Sequence, residues 1–493
     1  MSIDTAVLKS MDSEGETKLM SKYISPITSE SLTNLCTEIQ INDKIDTKDY
    51  SRFGVKRGLR NADGTGVMAG LTKICSVDGY YMDDGERVPR HGKLRFRGLD
   101  VNEIVAGCRK EDRFGFEEVA WLLIFGSLPT PEQLNKFRDV LAECRELPED
   151  FIEDMIMKAP SPNIMNKMAR SVMALYSYDE NPDDISIENV LRQCIQLIAQ
   201  LPSIMSYAYQ VKRRHYYKKS MYIHQPKPEL CTAQTILRTL RSDRHFTDEE
   251  AKLLDLCLIL HSEHGGGNNS TFATRVLTSS GTDTYSATAA SIGALKGPRH
   301  GGANIKVKEM TTLMAQEIDD ITDEKQVAAY IEKLIRKQAG DRTGLVYGMG
   351  HAIYTMSDPR AVLLKDAAKK FLSGEEFERR FRQLELIEDL TPDIFRSIKG
   401  DIKPICANVD LYSGLIYDML GIPEDLFTPL FTVSRMAGWA AHRIEELSTG
   451  NRIIRPAYKN VTLPYGYIPL EERTNENVMH PDEYIPREAL AVL

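Results

Sequence analysis

The sequence predicts a mainly α protein with a short β segment near its front. Three observations carry that expectation. Apolar residues recur at helical spacing over nearly all of the chain from Phe116 onward. Helix-start signals punctuate those runs: Thr130-Pro131-Glu132-Gln133 offers an N-cap with proline at the first helical position, and Thr247-Asp248-Glu249-Glu250 puts acids where the helix dipole favours them. Strand-like runs are confined to residues 58–104, where Gly66 to Cys75 and Lys93 to Arg97 read as short strands or turns among glycines.

Taken in order, residues 1 to about 50 are polar, with Leu32, Leu35 and Ile39 placed for one short amphipathic helix. Residues 1–57 read as an N-terminal extension, partly ordered at best. Phe116 to Phe125 is strongly apolar and stops at Gly126. Ser161-Pro162 opens a helix over Ile164 to Leu175, and Ile185 to Tyr209 is a long apolar segment interrupted at Pro202. The acids at 248–250 open a helix whose apolar face, Leu253, Cys257 and Leu260, continues to His264 in its last turn, before Gly265-Gly266-Gly267 stops it. Helical runs follow at Ser286–Leu295, Ile305–Leu313, Glu324–Lys337, Arg360–Phe371, Phe377–Glu388, Leu411–Leu420 and Leu426–Leu447. Helix is therefore expected to exceed the usual third.

At 493 residues the chain exceeds one ordinary domain and can bury a large core. Its net charge of −9 argues against general attraction to nucleic acid or anionic membrane, so an anionic substrate needs a local pocket of arginines. The eight cysteines form no CxxC pair, which suits a reducing compartment. No apolar run reaches spanning length, and the acidic first twenty residues look like neither a secretory signal nor a transit peptide. Cytoplasmic location, with no membrane partner, is the expectation. One segment, Lys212 to Lys219 with its tyrosines, has the composition of a nucleic-acid strip. A solvated loop is the simpler reading, and contact with coenzyme phosphates is a third.

The densest chemistry lies in His261 to Asn304, which holds His261, His264 and His300, the last two each followed by glycines. A lone histidine at a helix end is by default a cap or a satisfied core residue. Zinc binding by His261 and His264, three apart, is a weak alternative because no cysteine neighbours them. A bare glycine backbone at 297–302, with a new helix starting near Gly302, instead makes a site for developing negative charge.

The motifs Leu260 to Phe272 and Gly297 to Asn304 resemble the citrate synthase family. The resemblance continues in order through Gly348 to Tyr354, Asp358-Pro359-Arg360, Asn408 to Gly414, Ser434 to Trp439 and Arg455-Pro456. With Arg97-Gly98 and Phe116 to Gly126 it covers about Gly58 to Tyr458. It implies an acyltransferase that converts acyl to alkyl on transfer, condensing acetyl-CoA with oxaloacetate and hydrolysing the thioester to citrate and CoA. Acetyl-CoA is then a co-substrate, with no permanently bound cofactor and no metal. By the same match Asp410 is the base that removes the methyl proton, His300 the donor to the enol oxygen, and His351 the donor to the ketone. The residues themselves suit these roles: a partly buried carboxylate is a stronger base than one near pKa ~4, and Asp410 also reads as a helix N-cap. Ser270 and Asn268 stand behind them, Ser270 as the orienter of His300. Arg360, Arg435 and Arg455 are the carboxylate clamps, since guanidinium forks match carboxylates, and His264 adds a donor.

The resemblance further implies a large helical domain (58–301 and 422–493) and a smaller one (302–421), with the active site in the cleft. Gly301, Gly302 and Gly421 are candidate hinges for closure over substrate. Arg455 enters from a partner subunit, which implies a homodimer with shared active sites, or a higher oligomer built on it. Some relatives carry Arg after the third histidine where this chain has Ala352. 2-Methylcitrate synthase, using propionyl-CoA, keeps the same residues and is the nearest alternative; a non-catalytic relative and a zinc hydrolase are more distant ones.

Overall fold

The computed structural model describes residues 45–474, apart from 62, 63, 85, 401–403, 451, 463 and 465, together with 32, 33 and 36. The helix expected over Leu32, Leu35 and Ile39 falls largely outside the described residues. The chain divides into two compact units, Met68–Pro456 and a second made of Met1–Val67 with Ala457–Leu493. In the second unit a short helix, α1 (Thr47–Arg52), is capped by Asp46 accepting from the Lys48 N–H. Lys459 also sits over the Phe53 ring, 5.6 Å from its centroid.

The larger unit begins with an antiparallel sheet, β1 (Cys75–Asp83), β2 (Glu86–Phe96) and β3 (Leu99–Asp100), ordered β1-β2-β3. The β expectation was right in region and wrong in extent: Gly66 to Ile74 lies outside the strands, and the hairpin occupies 75–96 instead. Cys75 pairs with Phe96 and Tyr81 with Val88.

Helices follow for the rest of this unit: α2 (Val101–Lys110), α3 (Phe116–Phe125), α4 (Pro131–Glu143), α5 (Ile164–Leu175), α6 (Ile187–His215), α7 (Thr232–Leu240) and α8 (Asp248–His261). Next come α9 (Asn269–Ser279), α10 (Thr284–Lys296), α11 (Ala303–Glu317), α12 (Glu324–Ile335), α13 (Pro359–Phe371), α14 (Glu375–Lys399), α15 (Val409–Met419) and α16 (Phe427–Thr449). The punctuation acts as its chemistry requires. Gly126 ends α3 with φ of 89°, and Thr130 and Gln133 close a reciprocal capping box on α4. Thr247 and Glu250 do the same on α8.

Three local expectations are corrected. Pro202 does not interrupt its segment: α6 runs through it, because the one missing N–H costs less than the burial of Leu197, Ile198, Leu201, Ile204 and Met205 around it. Asn163, not Ser161, caps α5, while Ser161 Oγ donates to the Asn163 carbonyl. Lys212 to His215, expected in a loop, form the basic last turn of α6, where cations suit the dipole. Lys212 pairs there with Asp425 at 2.6 Å.

α16 is the axis of the core. It is buried without a break from Phe427 to Arg443 and packs against α3, α6, α8 and α9. The polar residues on this buried helix, Arg435 and His442 among them, therefore need partners inside the protein. Among the described residues no helix is long and apolar enough to cross a membrane.

Candidate active site

The site is built where α8 ends, α9 and α15 begin, and α16 passes beneath. α8 stops at His261 with Ser262 as its C-cap, so His264 lies beyond the helix, not in its last turn. The glycine that matters is Gly265, whose φ of 88° turns the chain away. His264 is left in the loop, its ring 5.0 Å from that of His351 and 5.6 Å from that of Tyr354. Burial first, then the charges of Arg360 and other neighbours, push His264 well below the ordinary histidine pKa, and its Nε2 has no hydrogen-bond partner among the described residues. His261 is buried against Phe431, with ring centroids 4.3 Å apart. Among the described residues no group of three or more His, Cys, Asp or Glu is arranged to hold a metal ion.

His300 follows α10 and turns back to the start of α9. Its Nε2 lies 2.9 Å from Ser270 Oγ and receives the Ser270 backbone N–H at 3.3 Å. A backbone N–H can only donate, so Nε2 is the acceptor and the ring proton sits on Nδ1. Ser270 Oγ, which has one proton to give, also lies 3.0 Å from Asn268 Oδ1 and accepts from Trp439 Nε1 at 3.3 Å. Asn268 itself caps α9 through the Thr271 N–H. Burial, then Arg435, lowers His300 to about 4, which keeps the imidazole neutral.

His351 shows the opposite tautomer. Its Nδ1 accepts from the N–H groups of Ile353 and Tyr354, both at 3.1 Å, which places the proton on Nε2. Its ring stacks on Tyr354, 4.5 Å between centroids. The loop is fixed to the head of α15: Gly350 N–H donates to the Cys406 carbonyl at 2.7 Å, and Asn408 Nδ2 to the Gly350 carbonyl at 2.9 Å. Gly348 combines a φ of 82° with packing so close that a Cβ would lie 2.8 Å from Leu411 Cδ1.

Asn408 is the N-cap of α15, accepting from the Asp410 N–H at 3.0 Å. Asp410 is therefore in the first turn and does not cap, which corrects the expectation of a double role. Its Oδ1 is buried without a partner among the described residues. Burial raises its pKa to about 7 and Asp358 adds to this, against the opposing charges of Arg360 and Arg435. A carboxyl so placed is a base matched to neutral pH.

Two of the three arginines are buried here. Arg435 donates Nε to the His261 carbonyl at 2.7 Å and lies over the Phe431 ring at 4.7 Å, while Nη1 and Nη2 have no partner among the described residues. Burial lowers its pKa to about 10, so it remains charged. Arg360 is gripped by the α13 N-cap, Asp358, through Nε at 3.1 Å and Nη2 at 2.7 Å. Arg455 is not brought in: it is exposed beyond the end of α16.

Sequence reasoning assigned no role to Asp358, Asn408 and Tyr354, although all three stood inside the quoted motifs. Glu263, Arg275 and His442 were missed as well. They are tied to one another across the fold, His442 Nε2 to Glu263 Oε1 at 3.0 Å, and no local signal links positions so far apart in the chain.

The family model described as citrate synthase, C-terminal domain, matches residues 60–457. The chain belongs to the citrate synthase family. It is 32% identical to a citrate synthase from a Synechocystis strain over 83% of this chain and 92% of that protein. It is 31% identical to 2-methylcitrate synthase 1 of Corynebacterium glutamicum over 85% and 99%. Among solved structures, a ternary complex of citrate synthase from Thermoplasma acidophilum with carboxymethyl coenzyme A and oxaloacetate aligns with a TM-score of 0.67 at 27% identity, over 83% of this chain and 97% of that one. The chain is thus an enzyme of citrate synthase type, mainly helical with short strands near its front.

Proposed function

We propose that the protein condenses acetyl-CoA with oxaloacetate and hydrolyses the resulting thioester to citrate and CoA. The observation that carries this reading is the pairing of opposite histidine tautomers around one raised carboxyl. Asp410, with its pKa near 7, takes a proton from the acetyl methyl group. Nδ1–H of His300, held by Ser270 on the other ring nitrogen, donates to the enol oxygen as charge develops there. Nε2–H of His351 donates to the ketone oxygen that becomes an alkoxide. The Nη groups of Arg435, without a partner among the described residues, bind the dicarboxylate together with Arg360 and His264.

The assembly belongs to the same reading. Arg455 is exposed in its own chain, which suits a clamp supplied to a partner subunit of a homodimer. Residues 302–421 act as the smaller domain that closes over oxaloacetate, with the rest of 58–493 as the larger. Acetyl-CoA is a co-substrate, the protein works without a resident cofactor, and its place is the cytoplasm.

A second reading, 2-methylcitrate synthesis from propionyl-CoA, draws support from the similarity to the Corynebacterium enzyme. One methylene in the acyl pocket is worth only about 1–3 kcal/mol, so the two substrates need direct comparison. Steady-state kinetics with saturating oxaloacetate should give a higher kcat/KM for acetyl-CoA than for propionyl-CoA; the reverse order assigns the protein to the second reading.

A further inference from the structure

The residue just before His264 is buried more deeply than His264 itself. Glu263 is fully buried, and its Oε1 accepts the Gly265 N–H at 2.6 Å, so it clamps the turn that carries His264. The same oxygen accepts from Nε2 of His442, equally buried, at 3.0 Å. On the other side of that ring, Nδ1 receives two donors of Arg275, Nε at 3.0 Å and Nη2 at 2.7 Å. A guanidinium can only donate, so the single ring proton is on Nε2 and aimed at Glu263. Arg275 is held in turn by Glu445 and, at 2.8 Å, by Glu446.

This chain of carboxylate, imidazole, guanidinium and carboxylates sits in a space with no slack. A Cβ on Gly438 would fall 2.2 Å from Glu263 Oε2 and 2.4 Å from the Ser262 carbonyl. One on Gly266 would lie 3.3 Å from His442 Cε1. Glu263 Oε2 is buried with no hydrogen-bond partner among the described residues, so the carboxylate is costly, and an apolar residue would fill the same space more cheaply. Burial pushes the Glu263 carboxyl up, but the hydrogen bond from His442, the charge of Arg435 and the Gly265 N–H oppose it, and the group is held below the ordinary range and carries its charge.

We propose that Glu263 is a positioning residue for the reaction: with His442 and Arg275 it fixes the turn that presents His264, so that this donor is aimed before oxaloacetate arrives. The proposal rests on the reading that His264 binds oxaloacetate. Neither Glu263 nor His442 is placed to touch substrate through its engaged atoms; both act through the turn.

Glu263→Gln keeps size and removes the charge. It should remain folded by circular dichroism, raise the oxaloacetate KM about tenfold, as expected when buried hydrogen bonds to a charged acceptor become neutral ones, and change kcat less. His442→Gln keeps a donor toward Glu263 and an acceptor toward Arg275, and should retain a KM close to that of the unaltered enzyme. His442→Leu keeps neither and should match Glu263→Gln. A double-mutant cycle with His264→Ala separates positioning from general destabilisation: the Glu263→Gln effect should largely vanish once His264 is gone. If His264→Ala raises KM and Glu263→Gln adds its full effect to it, or leaves KM unchanged, the proposal is overturned while His264 keeps its role. If His264→Ala itself leaves KM unchanged, both fall. Should Glu263→Gln not fold, equal KM values in His442→Gln and His442→Leu overturn the proposal.

Discussion

Replacing Asp410 by asparagine should make the protein more stable at alkaline pH while removing its activity. The carboxyl is buried with Oδ1 unpartnered among the described residues, and its pKa stands at about 7 against an ordinary value of 3.8. In the unfolded chain it ionises near its ordinary value, so between these two pH values the folded state binds more protons than the unfolded state. Stability then falls as pH rises through that window, reaching its full loss above about 7. The difference corresponds to about 4 kcal/mol at about 1.4 kcal/mol per pH unit. Asparagine avoids that penalty but buries an incompletely bonded amide, which costs about 1–3 kcal/mol. The net gain should be about 1–3 kcal/mol at pH 8.5 and should disappear, or reverse by the cost of the amide, below pH 4. Equilibrium urea unfolding of both proteins across pH 4–9 measures it. A stability difference that does not change with pH would refute the raised carboxyl, and with it the physical basis for Asp410 as a base at neutral pH.

Other expectations concern the groups around it. Arg435→Leu removes a buried charge and two guanidinium nitrogens that have no partner among the described residues, so oxaloacetate KM should rise about a hundredfold or more, read by initial rates; an unchanged KM would remove Arg435 from the clamp. Ser270→Ala leaves the backbone N–H on His300 but loses the hydroxyl at 2.9 Å. It should lower kcat about tenfold with oxaloacetate binding, followed by calorimetry, unaffected; weakened binding without loss of turnover would contradict the orienting role. Arg455→Ala and Asp410→Ala should each be nearly inactive alone, whereas co-expression should restore about a quarter of all sites through mixed dimers. Confirmed mixed dimers that stay inactive would place Arg455 in its own subunit's site or outside the reaction.

Much of the helical frame was legible because it is written locally. Phe116 to Gly126 and Thr130 to Gln133 carry start, apolar face and stop within a dozen residues, and the helices end where those signals stand. What failed was decided by packing elsewhere. Pro202 reads as a break in any local window, yet α6 continues because its neighbours bury both sides of the turn. The hairpin at 75–96 mixes charge with tyrosine and glycine, and its place comes from the 354–357 loop: the Gly92 N–H donates to the Ser357 carbonyl at 3.1 Å, and a Cβ there would strike the Tyr354 ring. In the candidate site the positions stood in ordered motifs, and the structure brings His264, His300, His351, Arg360, Asp410 and Arg435 together. Which ring nitrogen of each histidine holds the proton was not readable. That depends on backbone N–H groups such as those of Ser270 and Tyr354, whose directions exist only in the fold.

The most direct test of the central claim joins product formation to the base. Purified protein given acetyl-CoA and oxaloacetate should release free thiol and form citrate in equal amounts, with chelator present. Asp410→Asn should bind oxaloacetate by calorimetry with little change, yet turn over orders of magnitude more slowly. Thiol release by the variant close to that of the unaltered enzyme would contradict the account, whatever else the site is shown to bind.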